Sequence, residues 1–514
     1  MKNNTRLLYA LAFIKLVIPF LLQNAIYEPH RDEMLYLAEG NHMAWGFMEV
    51  PPMLSVFAWL TNLLGDSLFW VKFWPSLFGA LTFLVTGKLI LSLGGRAFAL
   101  LLGFLPFIFG AYLRVHFLFQ PNFLEIFFWT LIAYTLTRFI QSKQTKWLYW
   151  FGICCGLGMQ SKYSVAFFIA SVLVGLAVTS QKKIFTNKHL YFAALIGFII
   201  FLPNLIWQYK EHFPVVFHMK KLQRTQLQYV SPASFLIDQL IMNFPCVIIW
   251  LTGLWSVFFV KKLSNYRFIG YAYLCVIILL LIGHGKNYYA LGAYPVLFAF
   301  GAFQLEQLTA LRFKIARYVL VMIPLLLGYW LIPIALPILT PKPLADFYEK
   351  RQVKKLGVLN WEDGKIHPLP QDFSDMLGWE EMAQKMAKAY NTLDSNEKKN
   401  TLLFCDNYGQ AGAVNYYRNK YHLPEAFSDN ASFLYWIPDS LHFDNILLLT
   451  DDEKEMEHPF IKNFSSAVLS DSITNTFARE RGDLIIMLKG MNETMRQAFK
   501  DKIKKDKAEL ERGQ

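Results

Sequence analysis

The sequence predicts a mainly α-helical integral membrane protein of about eleven transmembrane helices, followed by a soluble α/β part at the C-terminus. Three observations lead there. The 514 residues are 54% hydrophobic and 17% aromatic, with 46 Phe and only 17% charged residues, a balance that a soluble domain could not keep from water. Apolar runs of roughly 20 residues, the length that crosses ~30 Å of hydrocarbon, recur from the N-terminus and stop near Pro337. Charge divides at the same place: residues 1–340 hold 26 Lys and Arg against 10 Asp and Glu, and the remainder 24 against 28. The net +12 is therefore a membrane-topology signal rather than a nucleic-acid footprint on one face, and no nucleic-acid partner is expected. Two domains follow, 1–340 in the membrane and 341–514 outside it.

Taken in order, the spans are expected at 6–26, 72–93, 97–116, 120–139, 147–161, 163–180, 189–208, 234–259, 267–283, 289–305 and 316–338. Lys2 and Arg6, Arg96, Lys143 and Lys146, Lys182, Lys183 and Lys188, Lys261, Lys262 and Arg267, and Arg312, Lys314 and Arg317 fall in every second loop. The positive-inside rule makes those loops cytoplasmic, with the N-terminus. An odd number of spans then puts the C-terminal part on the outer side. The first apolar run lacks a small-residue cleavage site and is followed by further spans, so it reads as a span and not a cleaved leader. Of the five cysteines, Cys154, Cys155, Cys246 and Cys275 lie in apolar spans and Cys405 stands alone, so no disulfide framework is expected.

The outward loops hold the candidate chemistry. The first, about 27–71, contains Asp32, Glu33, Glu39 and Glu49, and "VPPMLSVFAWL" within it has the spacing of a helix lying along the interface. The others are "RVHFLFQPN" with Arg114, His116 and Asn122, "MQSKYS" with Lys162, "WQYKEHFPVVFHMKKLQR", and "HGKNYYALGAYP" with Lys286, Tyr288 and Tyr289. Charge near hydrocarbon costs roughly 2.5–3.5 kcal/mol per residue unless it faces a cavity or partner, so five such loops suggest one shared site. Two readings of Asp32 and Glu33 stand side by side: a hydrated loop edge, or a general base for transfer to a hydroxyl, where partial desolvation raises carboxylate basicity. Lys162 and Lys286 either snorkel to headgroups or hold a lipid-linked phosphate and offset the leaving group's charge. Tyr288 and Tyr289 either donate to that phosphate or belong to the aromatic belt. Glu125 either lines the site or is buried with Arg114. The histidines show no compact ligand spacing, so no cofactor is required and a divalent metal is not supported.

In order along the chain, "RDEMLYLAEG", "MEVPPMLSVFAWL", "QPNFLEIFFW", "GLGMQSKYS", "FLPNLIWQYKEHFP" and "GKNYYALGAYP" resemble the GT-C polyprenyl-phosphate-sugar-dependent glycosyltransferases, in the branch of protein mannosyltransferases and the lipid A aminoarabinose transferase. The resemblance covers most of residues 1–340. It implies an inverting transfer of a hexosyl or pentosyl group from a polyprenyl-phosphate donor to a hydroxyl of a lipid, glycan or protein acceptor, on the outer face of a bacterial cytoplasmic membrane. Asp32 matches the family's first-loop catalytic base, and Glu33 is expected to orient it or to bind acceptor. Lys162 matches a lysine in a "TK" context, here "SK", and Lys286 with Tyr288 or Tyr289 matches a basic-aromatic motif. Glu49, Arg114, His116 and Asn122 are expected to line the substrate site. The chain departs at Glu49, Val50, Pro51, where the aminoarabinose branch has "EKP", and at Asn122, where relatives often have Asp.

In residues 341–514, "TLLFCD", "NILLLTDD" and "DLIIMLKG" read as strands and "YGQAGAVNYYRNKY" as a helix. "DNYGQAGAVNYYRNKYHLP" resembles the outer domain of many bacterial members, which suggests acceptor binding, with a purely stabilising role as the alternative. The tail from Met495 reads as a solvated charged face. The competing class is a transporter or flippase of a lipid-linked sugar, but that predicts internal repeats and mid-membrane ionisable residues on broken helices, whereas the candidates here gather at one face.

Overall fold

The computed structural model describes residues 2–310, 313–438 and 442–512. Each expected span corresponds to a helix or to two helical segments meeting at a break. The helices are α1 (Lys2–Leu22), α2 (Arg31–Glu39), α3 (Met53–Leu63), α4 (Leu68–Ser92), α5 (Ala97–Ile108), α6 (Ala111–Val115), α7 (Asn122–Ser142), α8 (Lys146–Ser161), α9 (Val165–Ala177), α10 (Lys188–Lys210), α11 (Pro214–Thr225), α12 (Pro232–Ile241), α13 (Val247–Phe259), α14 (Arg267–Ile282), α15 (Tyr294–Leu308) and α16 (Lys314–Ala335). Six described helices are long and apolar enough to cross a membrane individually, or seven with the bent segment 165–186 as one span. Others are shorter because the chain breaks them.

The breaks have local causes. Gly110, at φ +79°, separates α5 from α6, and a Cβ there would lie 2.6 Å from the Met242 carbonyl, so only glycine suits this turn. The stretch expected at 234–259 divides into α12 and α13, and the one expected at 289–305 begins as a tight 3₁₀ turn, Asn287–Ala293, before α15. Between α1 and α4 the chain inserts α2 and α3, the second of which is the helix expected in the "VPPMLSVFAWL" stretch.

One large apolar cluster fills the bundle, with Trp129, Phe107, Tyr294 and Phe298 fully buried in it. Small residues let helices approach. At Gly152 and Gly156 of α8 an added Cβ would strike the α10 backbone at Ala193 and Gly197, and Gly253 of α13 faces Gly301 of α15 in the same way. Close backbone approach of this kind is how helices gain packing where lipid supplies no hydrophobic drive.

After α16 come α17 (Pro341–Lys350), α18 (Gln371–Ser374), α19 (Trp379–Tyr390), α20 (Ser395–Lys399), β1 (Thr401–Cys405), α21 (Tyr408–Tyr421), β2 (Ala426–Phe427), α22 (Phe433–Trp436), β3 (Asn445–Thr450), β4 (Phe464–Ser472), β5 (Leu484–Met491) and α23 (Glu493–Arg512). The sheet order is β2-β1-β3-β5-β4. β1 lies parallel to β2 and β3, with Leu403 beside Leu447, while β5 runs antiparallel to β3 and β4. Every residue of β1 and β3 is buried, as expected where helices cover both faces. α19 and α21 pack on one face and α23 on the other.

Candidate active site

The N-terminal turn of α2 sets the site. His30 caps it: its Nδ1 accepts from the Asp32 N–H at 3.1 Å, and the His30 N–H donates to Glu33 Oε2 at 2.7 Å. This capping box fixes the directions of two adjacent carboxylates. Asp32 stays half-buried, and each oxygen accepts one hydrogen bond, from Gln120 Nε2 at 3.1 Å and from the Tyr408 hydroxyl at 2.8 Å. A carboxylate offers about four lone-pair positions, so capacity remains for an incoming hydroxyl.

Glu33 points the other way, into the fold. It is fully buried, pairs with Lys72 Nζ at 2.6 and 2.7 Å, and accepts the Phe119 N–H at 2.5 Å. Lys72 is 1% exposed and stands over the Phe117 ring. These contacts tie both Glu33 oxygens to the fold itself.

From Asp32 a set of contacts runs through the loops that hold Gln120 and Asn122, Lys162, and Tyr288 and Tyr289. The Asn122 side chain donates to Gln120 at 3.2 Å and accepts from Lys162 at 2.6 Å. Lys162 also pairs with Glu125 at 2.7 Å and lies 4.6 Å from the Tyr289 ring centre and 5.7 Å from that of Tyr288. Glu125 is therefore buried with Lys162, and its second oxygen accepts from Ser164; it does not meet Arg114. Tyr288 stands close enough to Asp32 to feel its charge. Burial, with Lys221 and Lys286 adding to it, pushes the His218 imidazole down to about 4, so the ring is neutral at neutral pH. Among the described residues Lys286 has no carboxylate at ion-pair distance, which suits it to an exogenous anion.

Three expected site residues make their hydrogen bonds or packing contacts with groups other than Asp32. Arg114 donates from Nε to the Ala335 carbonyl at 3.1 Å, from Nη2 to that of Ile334 at 2.5 Å, and from Nη1 to Asp372 at 2.7 Å. It ties the bundle to the C-terminal part. His116 is fully buried and stacks with Phe107, with Gly79 against its ring, and neither nitrogen has a partner among the described residues. It packs inside the bundle, not against the loops around Asp32. Glu49 accepts from the Ser432 N–H at 3.0 Å and its hydroxyl at 2.5 Å, so it holds the C-terminal part; burial raises its carboxyl, with Lys221 opposing. Close by, burial and Glu49 lift Glu39 well above the usual carboxylate range, and both its oxygens are unpartnered among the described residues.

Residue types alone gave no reason to single out Lys72, Gln120, Lys221 or Tyr408. The partners of Lys72, Gln120 and Tyr408 are distant in sequence, and Tyr408 lies 376 positions from Asp32. A capping-box pattern before α2 was the one local signal within reach, and it marks α2's start but not what faces it. No group of three or more Cys, His, Asp or Glu suited to a metal forms among the described residues.

Residues 49–207 match the family model described as dolichyl-phosphate-mannose-protein mannosyltransferase. ArnT from Cupriavidus metallidurans, in a crystal structure bound to undecaprenyl phosphate, aligns with a TM-score of 0.63 at 11% identity, over 94% of this chain and 97% of that one. Its apo structure aligns at 0.62 and 12% identity, over the same shares of both chains, 94% and 97%. The oligosaccharyltransferase AglB from Archaeoglobus fulgidus aligns at 0.48 and 13% identity, over 88% of this chain and 70% of that one. No curated protein matches the chain in sequence. The fold is of GT-C type, and the resemblance to the mannosyltransferase and aminoarabinose transferase branch read from the motifs is borne out.

Proposed function

We propose, for a chain that carries the GT-C fold and a mannosyltransferase-family segment, that it is a membrane glycosyltransferase. It moves a sugar from a polyprenyl-phosphate donor to a hydroxyl of a lipid, glycan or protein acceptor at the outer lipid boundary. The observation that carries this reading is the half-buried Asp32 carboxylate, held on both oxygens yet open, from which a chain of contacts through Gln120 and Asn122 reaches Lys162, Tyr288 and Tyr289.

The steps follow from that arrangement. The polyprenyl tail stays in the bilayer, which confines the sugar-phosphate bond to the headgroup layer where α2 begins. Asp32 takes the proton of the acceptor hydroxyl as its oxygen attacks the anomeric carbon. The bond from that carbon to the phosphate oxygen breaks on the opposite side, so configuration inverts and polyprenyl phosphate leaves. Lys286 and Lys221 offset the charge that grows on the phosphate. Lys162 contributes less, because Glu125 already answers its charge. Glu33, paired with Lys72, holds the turn that aims Asp32.

Transfer of labelled sugar from purified polyprenyl-phosphate donors in liposomes tests this. Asp32→Asn keeps the shape and removes the base, so transfer should fall by roughly 100-fold or more, with protein amount and donor binding retained. Near-normal transfer by that variant would remove Asp32 from the role. Movement of intact donor across the bilayer without bond cleavage would replace the enzyme with a transporter.

A further inference from the structure

The C-terminal part reaches the first loop through more than one surface contact. Along α21, three tyrosine hydroxyls donate to it: Tyr408 to Asp32 at 2.8 Å, Tyr416 to the Asp66 carbonyl at 2.5 Å, and Tyr417 to Glu28 at 2.9 Å. Glu28 also accepts the N–H groups of Trp379 and Glu380, at 3.0 and 2.6 Å, and Arg31 pairs with Glu480 at 3.2 Å. The helices meet with no spare room. A Cβ on Gly412 would lie 2.7 Å from Met34 Cβ, and one on Gly409 would lie 2.6 Å from Arg31 Cγ.

This docking is aimed. Asn407 caps α21 by accepting the N–H groups of Gly409 and Gln410 at 3.0 and 3.1 Å, which fixes Tyr408 as the first residue of the helix. Its ring is gripped from one side by the Arg31 guanidinium, 4.8 Å from the ring centre. The hydroxyl then has one direction, toward Asp32 Oδ1. Around that carboxylate stand Arg31 and Tyr36 on α2, Gln120 from the loop before α7, Tyr288 from the turn before α15, and Tyr408. Of these, Gln120 and Tyr408 bond its oxygens.

We infer that the C-terminal part is a component of the reaction centre, with Tyr408 as the positioning residue that holds Asp32 in the rotamer able to take the acceptor's proton. This rests on Asp32 being the base. A positioned carboxylate loses little freedom at the moment of attack, and misdirection costs rate without costing donor affinity. Tyr408 bonds the base itself, so its effect belongs in kcat.

The test offers purified full-length protein in liposomes two probes, undecaprenyl phosphate mannose and undecaprenyl phosphate 4-amino-4-deoxyarabinose, with lipid and peptide acceptor pools, and reads undecaprenyl phosphate released by transfer. Tyr408→Phe removes one hydroxyl and should lower kcat roughly tenfold to a hundredfold, as loss of one hydrogen bond to a charged group implies. Donor KM, binding of undecaprenyl phosphate and thermal stability should stay near the parent's. Tyr421→Phe, which removes a hydroxyl of the same helix that donates to Glu380, should match the parent throughout. Unchanged kcat in Tyr408→Phe beside an active parent and an inactive Asp32→Asn overturns the inference alone. A parallel loss of stability and donor binding assigns Tyr408 to docking only and also overturns it. An active Asp32→Asn takes the base role from Asp32 and overturns this inference while the glycosyltransferase reading stands, whereas a parent inert toward both probes removes that reading and this inference with it.

Discussion

Lys162 and Lys286 look equivalent in sequence, each a lysine at a helix end beside aromatic residues, but their surroundings separate them. Lys162 bonds Asn122 and Glu125, whose side chain is 3% exposed. Lys286, like Lys221, acts on a neutral His218 and has no carboxylate at ion-pair distance among the described residues. Under the proposed function, an incoming donor phosphate therefore gains most from Lys286. Lys286→Ala should raise donor KM by the equivalent of roughly 1.5–3 kcal/mol with little change in melting temperature. Lys162→Ala should act first on stability, since it strands a buried carboxylate. Donor titrations with thermal unfolding of both variants check this, and an unchanged donor KM in Lys286→Ala would return that lysine to the headgroups.

At the scale of elements, the bundle depends on where backbones touch. α8 presents Gly152 and Gly156 to Ala193 and Gly197 of α10, and an added Cβ at Gly152 would collide with the Ala193 carbonyl group. Gly152→Val must push the pair apart, at a cost of about 1–3 kcal/mol, so detergent-solubilised protein should melt earlier, whereas Gly94→Ala, in open space but at φ +96°, should cost only backbone strain. Equal melting temperatures for Gly152→Val and the parent would show that the crossing tolerates separation. The spans themselves were legible because an apolar run is a local property. The break at Gly110 and the turn between α12 and α13 were not, because averaging over a window passes across a single glycine or a short turn. Placement of Asp32, Asn122, Lys162 and Tyr288 at one end followed from loop alternation alone. What faces them did not: the pairing of Glu33 with Lys72, and the turning of Arg114 toward Asp372, are set by how helices rotate against each other, which no spacing in the first loop encodes.

Across the whole molecule, the C-terminal part is held to the bundle by charges taken partly out of water. Asp375 sits at the centre, 3.6 Å from His30 and 3.3 Å from Arg479, and its carbonyl accepts the Arg31 N–H at 2.9 Å. Burial nevertheless outweighs these partners and raises its carboxyl from 3.8 to about 6. Burial and Glu480 push Asp483 upward as well. The folded state thus holds a proton at Asp375 more tightly than the unfolded chain does. Its contribution to stability is complete below about 3.8 and is lost as pH rises through about 6, at roughly 1.4 kcal/mol per pH unit within that window. Depressed carboxylates such as Glu380 and Asp394 tilt stability the opposite way, so the parent's own curve mixes both signs. The difference between the parent and Asp375→Asn isolates the one group. Thermal unfolding of the full chain between pH 4 and 6 should show the variant gaining on the parent as pH rises, because a neutral amide escapes the cost of ionising in a buried place. Parallel curves for the two proteins would mean that the contact between bundle and C-terminal part does not turn on the Asp375 charge.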